Sequence, residues 1–215
     1  MTIRSILCFG DSNTHGTEPK SGLDDKRRLA VEERWPGRLA AALGASWHVI
    51  EEGHPGRTTV HADPVEGPHK NGLAALPVAL ESHRPLDLVI LMLGTNDLKA
   101  QYMVRPPDIA RSVDRLVSHI AASECGPDRA APAILVIAPP PILETGCLAE
   151  MYTGGAEKSR DLGALFSTVA ARHGAGFLDA GKVIRSSPLD GIHFDADEHA
   201  KLAVAVTQKV RALLV

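Results

Sequence analysis

Residue types able to carry covalent chemistry gather at four places in the chain: Gly10-Asp11-Ser12-Asn13, the glycine loop ending at Gly56, Gly94-Thr95-Asn96-Asp97, and Asp190-Gly191-Ile192-His193. A serine hydroxyl becomes a useful nucleophile only when a base removes its proton. A histidine that follows an aspartate by three residues, across a turn containing glycine, can be oriented through one ring nitrogen while the other acts as that base. Ser12, Asp190 and His193 are therefore the candidate nucleophile, orienting acid and base. Asn96 offers an uncharged side-chain N–H, and Gly56 offers a backbone N–H that no side chain obstructs. With the N–H of Ser12 they make three candidate donors for the oxyanion of an acyl-transfer intermediate. Each fragment also has a plainer reading: Asp11, Ser12 and Asn13 are common helix caps, Gly94–Asp97 makes an ordinary turn, and a lone D-x-x-H is an ordinary loop. The chemical reading rests on their joint occurrence.

For these pieces to meet, the elements between them must bring the two ends of the chain together. Ile6-Leu7-Cys8-Phe9 is apolar without alternation and too short for a helix, as expected of an interior parallel strand covered on both faces. Strands are also predicted at 46–51, 86–93, 133–138 and 176–179, with the last of the long runs stopping at Pro139-Pro140-Pro141. Helices are predicted at 34–44, with Pro36 in the first turn and Gly44 at the end, and at 72–82, 107–123, 156–172 and 195–214. Ile109, Val113, Leu116 and Ile120 recur at helical spacing and read as a face packed on the sheet. Strand and helix alternate five times, which predicts an α/β fold with a five-stranded parallel sheet and helices on both faces. In such sheets ligands bind beyond the carboxyl ends of the strands, and Ser12 and Asn96 both follow strands there. The segments 17–33 and 139–155 are predicted as long loops near the site mouth and as candidate subunit contacts.

The 215 residues are read as a single domain, 1–215, since no repeat or compositional break divides them. A formal net charge of -3, with 23 Lys and Arg interspersed among 26 Asp and Glu, gives no basic stripe for nucleic acid or an anionic membrane. No apolar run is long enough to span a bilayer, and Met1-Thr2-Ile3-Arg4 enters the first strand without a signal-peptide pattern, so a cytoplasmic location is expected. Cys8, Cys125 and Cys147 are scattered, odd in number and free of any C-x-x-C, which fits a reducing compartment and argues against structural zinc.

Taken in order, Gly10-Asp11-Ser12, the loop glycine Gly56, Gly94-Thr95-Asn96-Asp97 and Asp190-x-x-His193 resemble the blocks of the SGNH (GDSL-type) hydrolases. The likeness is strongest to the bacterial arylesterase and acyltransferase branch, through Glu51-Glu52-Gly53, Arg57-Thr58-Thr59 and Met92-Leu93-Gly94-Thr95-Asn96-Asp97-Leu98-Lys99-Ala100. The resemblance implies a three-layer flavodoxin-like fold and a serine esterase acting on short-chain acyl esters. It implies no cofactor and no metal, an acyl-enzyme on Ser12, and Ser12, Gly56 and Asn96 as oxyanion donors. Its partners would be a small-molecule ester and further copies of the chain in a homo-oligomer. Asn13 and His15 stand where that branch often has a hydrophobic residue and a Trp, so they are expected to give a polar wall beside Ser12 and to contact substrate. That wall favours hydrolysis over transfer to alcohols or peroxide, which benefits from excluding water.

Two other classes fit parts of the pattern. A flavin mononucleotide-binding protein would use Ser12-Asn13-Thr14 as a phosphate loop, but four Phe, two Trp and two Tyr leave little to stack on an isoalloxazine. A metal-dependent phosphoesterase would use Asp11 and the Asn96-Asp97 pair, but the few residues before Gly10 hold no D-x-H.

Overall fold

The first strand of the computed structural model, β1 (Arg4–Gly10), lies inside the sheet, and its residues Ile6 to Gly10 are all buried. The structure describes residues 3–214, so the two ends of the predicted domain span, residues 1, 2 and 215, lie outside it. β1 pairs in parallel with β2 (Trp47–Gly53) on one side and with β3 (Leu88–Met92) on the other. β4 (Ala133–Ala138) and β5 (Gly176–Asp179) complete an all-parallel sheet in the order β2-β1-β3-β4-β5. The chain moves outward from β1 to β2, then returns across β1 to build the other half. The direction of winding thus reverses between β1 and β3, and a crevice opens beyond their carboxyl ends.

Helices cover both faces, which explains why these strands carry no polar alternation. After the short α1 (Ser12–His15) come α2 (Trp35–Leu43), α3 (Gly72–His83) and α4 (Pro106–Ala121). α5 (Gly155–Ser159), α6 (Leu162–Arg172) and α7 (Ala196–Leu214) follow. Leu7 and Phe9 point into a core shared with Leu76 and Leu80 of α3, Val113 and Leu116 of α4 and Phe166 of α6. Ile6 and Cys8 point to the opposite face, against Trp35 and Leu39 of α2 and Leu202 and Val206 of α7. Each such fully buried aliphatic or aromatic side chain is worth about 1.5–3 kcal/mol, which holds β1 rigid behind the residue that follows it. The predicted stripe of α4 is buried at Ile109, Val113, Leu116 and Ile120, and Val117 joins it.

The single helix expected over 156–172 is two. The Ser159 hydroxyl donates to the Ala156 carbonyl (2.7 Å) and accepts from the Ile142 N–H (3.1 Å), so the end of α5 is tied to the preceding loop and the chain turns before α6 begins. On the other face the His199 ring accepts the Trp35 N–H at 3.2 Å, satisfying a donor at the start of α2 from the side chain of α7. Burial lowers the His199 pKa to about 3, helped by the charges of His193, Arg38 and Arg34, so this ring is neutral in the fold. Among the described residues no helix is long and apolar enough to cross a membrane.

Candidate active site

The site grows from the end of β1. The Asp11 side chain accepts the Asn13 N–H at 2.9 Å and so caps the one-turn helix α1, which leaves Ser12 as its first residue at the sheet edge. Ser12 lines a cleft of about 260 Å³ together with Gly56, Asn96 and His193. The capping role and the candidate nucleophilic role therefore fall to neighbouring residues.

The histidine side is a self-contained turn. Asp190 is fully buried, and one carboxylate oxygen accepts the N–H groups of Ile192 and His193, each at 2.9 Å. The other oxygen takes His193 Nδ1 at 2.6 Å and the Lys20 N–H at 2.7 Å. Burial pushes the Asp190 carboxyl up, but the hydrogen bond and charge of His193, with the backbone donors, outweigh it and hold the group below its ordinary value. It is thus ionised, fixes the imidazole ring and leaves Nε2 as the proton acceptor. Gly191 makes the turn possible: its φ is +78°, and an added Cβ would lie 2.0 Å from the Leu143 carbonyl oxygen.

The opposite side is assembled from loops after β2 and β3. Arg57 is buried with its guanidinium 4.2 Å from the Phe9 ring centroid, and it donates to the carbonyls of Gly10 (2.9 Å) and Glu52. Asp97 is fully buried and accepts the Thr59 N–H at 3.0 Å and the Thr59 hydroxyl. These contacts fasten the segment 57–59 to three strand ends, while Lys70 Nζ holds the Pro55 carbonyl at 2.8 Å. Gly56 between them has φ +78° and faces the cleft. Asn96 Nδ2 donates to the Arg57 carbonyl at 3.1 Å and approaches an Asp11 oxygen at 3.4 Å, and its Oδ1 accepts from the Tyr152 hydroxyl at 2.9 Å. Burial lifts the Asp11 pKa to about 6 against the lowering effects of the Asn13 N–H, His193 and Arg57.

Ser12, Gly56, Asn96, Asp190 and His193 thus converge, while the expected substrate contacts Asn13 and His15 do not reach the cleft. Asn13 is buried, and its Nδ2 donates to the Ile192 carbonyl at 3.2 Å, bracing the serine turn against the histidine turn. The His15 ring turns aside to Thr17 Oγ1 at 3.1 Å, and burial with Arg28 and Arg34 lowers its pKa to about 4. The polar wall is formed instead by Lys20, Glu66 and Lys99, and Leu23, Leu148 and Met151 supply apolar contacts. Lys99 is buried, with Nζ 3.4 Å from Asp63 and 3.5 Å from Glu66. Lys99 lies in the block Met92–Ala100 without a role read from it, and Tyr152 carries no motif, so its only signal in the sequence is a polar aromatic in a long loop. Among the described residues no group of three or more His, Cys, Asp or Glu side chains is placed to hold a metal ion.

A doubly covered parallel sheet with a serine and a carboxylate-oriented histidine in one strand-end cleft defines a serine hydrolase architecture. Residues 8–201 match the model of the GDSL-like lipase/acylhydrolase family. The inhibitor-bound aryl esterase of M. smegmatis superposes with a TM-score of 0.94 at 41% identity, covering 98% of this chain and 100% of that one. Est24, a carbohydrate acetylesterase from Sinorhizobium meliloti, gives 0.94 and 41% over 98% of this chain and 100% of that one. A second Sinorhizobium meliloti structure, described as a carbohydrate acetylesterase family member, gives 0.91 and 36% over 99% of both chains. The sequence has no match among curated proteins. The chain belongs to the GDSL-like lipase/acylhydrolase family and is a carboxylic ester hydrolase with the flavodoxin-like SGNH fold.

Proposed function

We propose that this esterase cleaves acetyl and other short acyl esters through an acyl-enzyme on Ser12, working as one domain over 1–215. The observation that carries the reading is the carboxylate-bound His193 in the same cleft as Ser12. His193 Nε2 takes the Ser12 proton as Oγ attacks the ester carbonyl. The developing oxyanion is held by the N–H groups of Ser12 and Gly56 and by Asn96 Nδ2. His193 then protonates the departing alcohol or phenol, and water, deprotonated by the same ring, releases the acid. An alcohol or peroxide that reached the acyl-enzyme first would be acylated instead.

The cleft volume of about 260 Å³ supports a small acyl group. The Lys99 and Glu66 wall supports a polar alcohol portion such as an acetylated sugar, the substrate class named for Est24, while the apolar contacts suit an aryl ester. p-Nitrophenyl esters from acetyl to decanoyl test this: kcat/KM falls beyond butyryl and is unchanged by EDTA. A preference for long chains, or loss of activity on chelation, would reject it.

The three free cysteines support a cytoplasmic location. Val31 and Val204, exposed beside a groove between α2 and α7, support a homo-oligomer, measurable by light scattering.

A further inference from the structure

The Asn96 amide can face the cleft in two ways that differ by a half-turn, and only one presents an N–H. On one side of the amide lie two acceptors, the Arg57 carbonyl and the Asp11 carboxylate, and on the other lies the Tyr152 hydroxyl at 2.9 Å. A flipped amide would set its carbonyl oxygen against both acceptors, so Oδ1 must face Tyr152 and the tyrosine must donate. Tyr152 is buried and is one of the residues that line the cleft. Burial, together with the negative charges of Asp11, Glu66, Asp190 and Asp97, pushes the phenol well above its ordinary value, so it keeps its proton wherever the enzyme works.

We propose that Tyr152 is a positioning residue for the oxyanion hole: its hydroxyl fixes the orientation of Asn96 and, by binding Oδ1, strengthens the Nδ2–H that is not held by the Arg57 carbonyl and exchanges its long 3.4 Å approach to Asp11 for the oxyanion. Donation to an amide oxygen draws charge from its nitrogen and makes the N–H a better donor, as hydrogen bonds in a chain polarise one another. This rests on the role proposed for Asn96. It adds that an acyl-transfer step depends on a phenol that touches neither Ser12 nor His193 through any hydrogen bond among the described residues. The effect belongs to the charged intermediate, where the N–H is needed most, and leaves ground-state binding nearly untouched.

The test compares the wild type, Y152F, N96A and the N96A/Y152F double variant with p-nitrophenyl acetate, alongside thermal unfolding and the 15N–1H spectrum of the side-chain amides. Y152F is expected to lower kcat about 10-fold with KM within about 2-fold. It is expected to have no further effect in the N96A background, and to move the Asn96 NH2 cross-peak, assigned by its loss in N96A, towards higher field. Unchanged kcat in Y152F, an equal loss in both backgrounds, or an unmoved Asn96 signal would overturn the proposal. If the wild type proves inactive on every ester, the esterase reading fails, and the amide spectrum still decides whether Tyr152 holds Asn96.

Discussion

On the histidine side of the cleft, four consecutive residues, Asp190 to His193, provide the acid, the turn and the base, and Asp190 meets three of its four donors within that turn. On the oxyanion side, the three candidate donors come from loops after β1, β2 and β3, held by hydrogen bonds of Arg57, Asp97, Lys70 and Tyr152 that join separate parts of the chain. The first arrangement is local and depends on the conformation of one loop. The second is distributed and exists only when the sheet has assembled. The two therefore fail differently: damage to the first misorients one ring, whereas damage to the second loosens a donor without unseating its neighbours. Among the described residues, Asn13, which donates to the Ile192 carbonyl, makes the one hydrogen bond from α1 to the histidine turn.

Asp190→Asn gives the largest separation between the sides. It keeps the shape but presents an amide to His193 Nδ1, disfavouring the tautomer with a free Nε2, and kcat should fall by about 10³–10⁴ with the fold intact by circular dichroism. A drop under tenfold would mean that the histidine side does not orient the base. Asn96→Ala removes one of three distributed donors and should cost about 10²–10³ in kcat with a small change in KM, measured on the same ester. A loss confined to KM would recast Asn96 as a binding residue.

His199, outside the cleft, is a purely structural histidine and behaves unlike His193. The folded state keeps His199 neutral down to about pH 3, whereas the unfolded chain takes up its proton near pH 6.5. Below pH 6.5 the unfolded state thus binds more protons, and stability is lost as pH falls from 6.5 towards 3, by an amount on the order of 4 kcal/mol across the whole window. His199→Gln should flatten the dependence of Tm on pH between 6.5 and 4.5, and an unchanged slope would remove His199 from this role.

The same contrast explains what the sequence revealed. β1, β3 and β4 were legible as unbroken apolar runs because both faces are covered, and α4 was legible from its stripe. Asp190 and His193 were legible because they are neighbours in the chain as well as in space. Gly56 and Asn96 could be placed near the strand ends, but not the Arg57, Asp97 and Tyr152 contacts that hold them, because those hydrogen bonds join residues from 38 to 56 positions apart or pass through backbone carbonyls of any residue type. Asn13 and His15 were misplaced for a related reason. Closeness to Ser12 in the chain suggested the cleft, but the first turn of a helix sends successive side chains in different directions, here to the Ile192 loop and to Thr17. The break between α5 and α6 depends on a single serine hydroxyl that serves the loop at Ile142 as well as its own helix.

The most direct test of the central claim is to treat the native enzyme with a fluorophosphonate and locate the adduct by peptide mass spectrometry. One adduct per chain is expected, on Ser12, with esterase activity lost in proportion to labelling. Full activity in fully labelled protein, or an adduct at another residue that accounts for the lost activity, would contradict that claim.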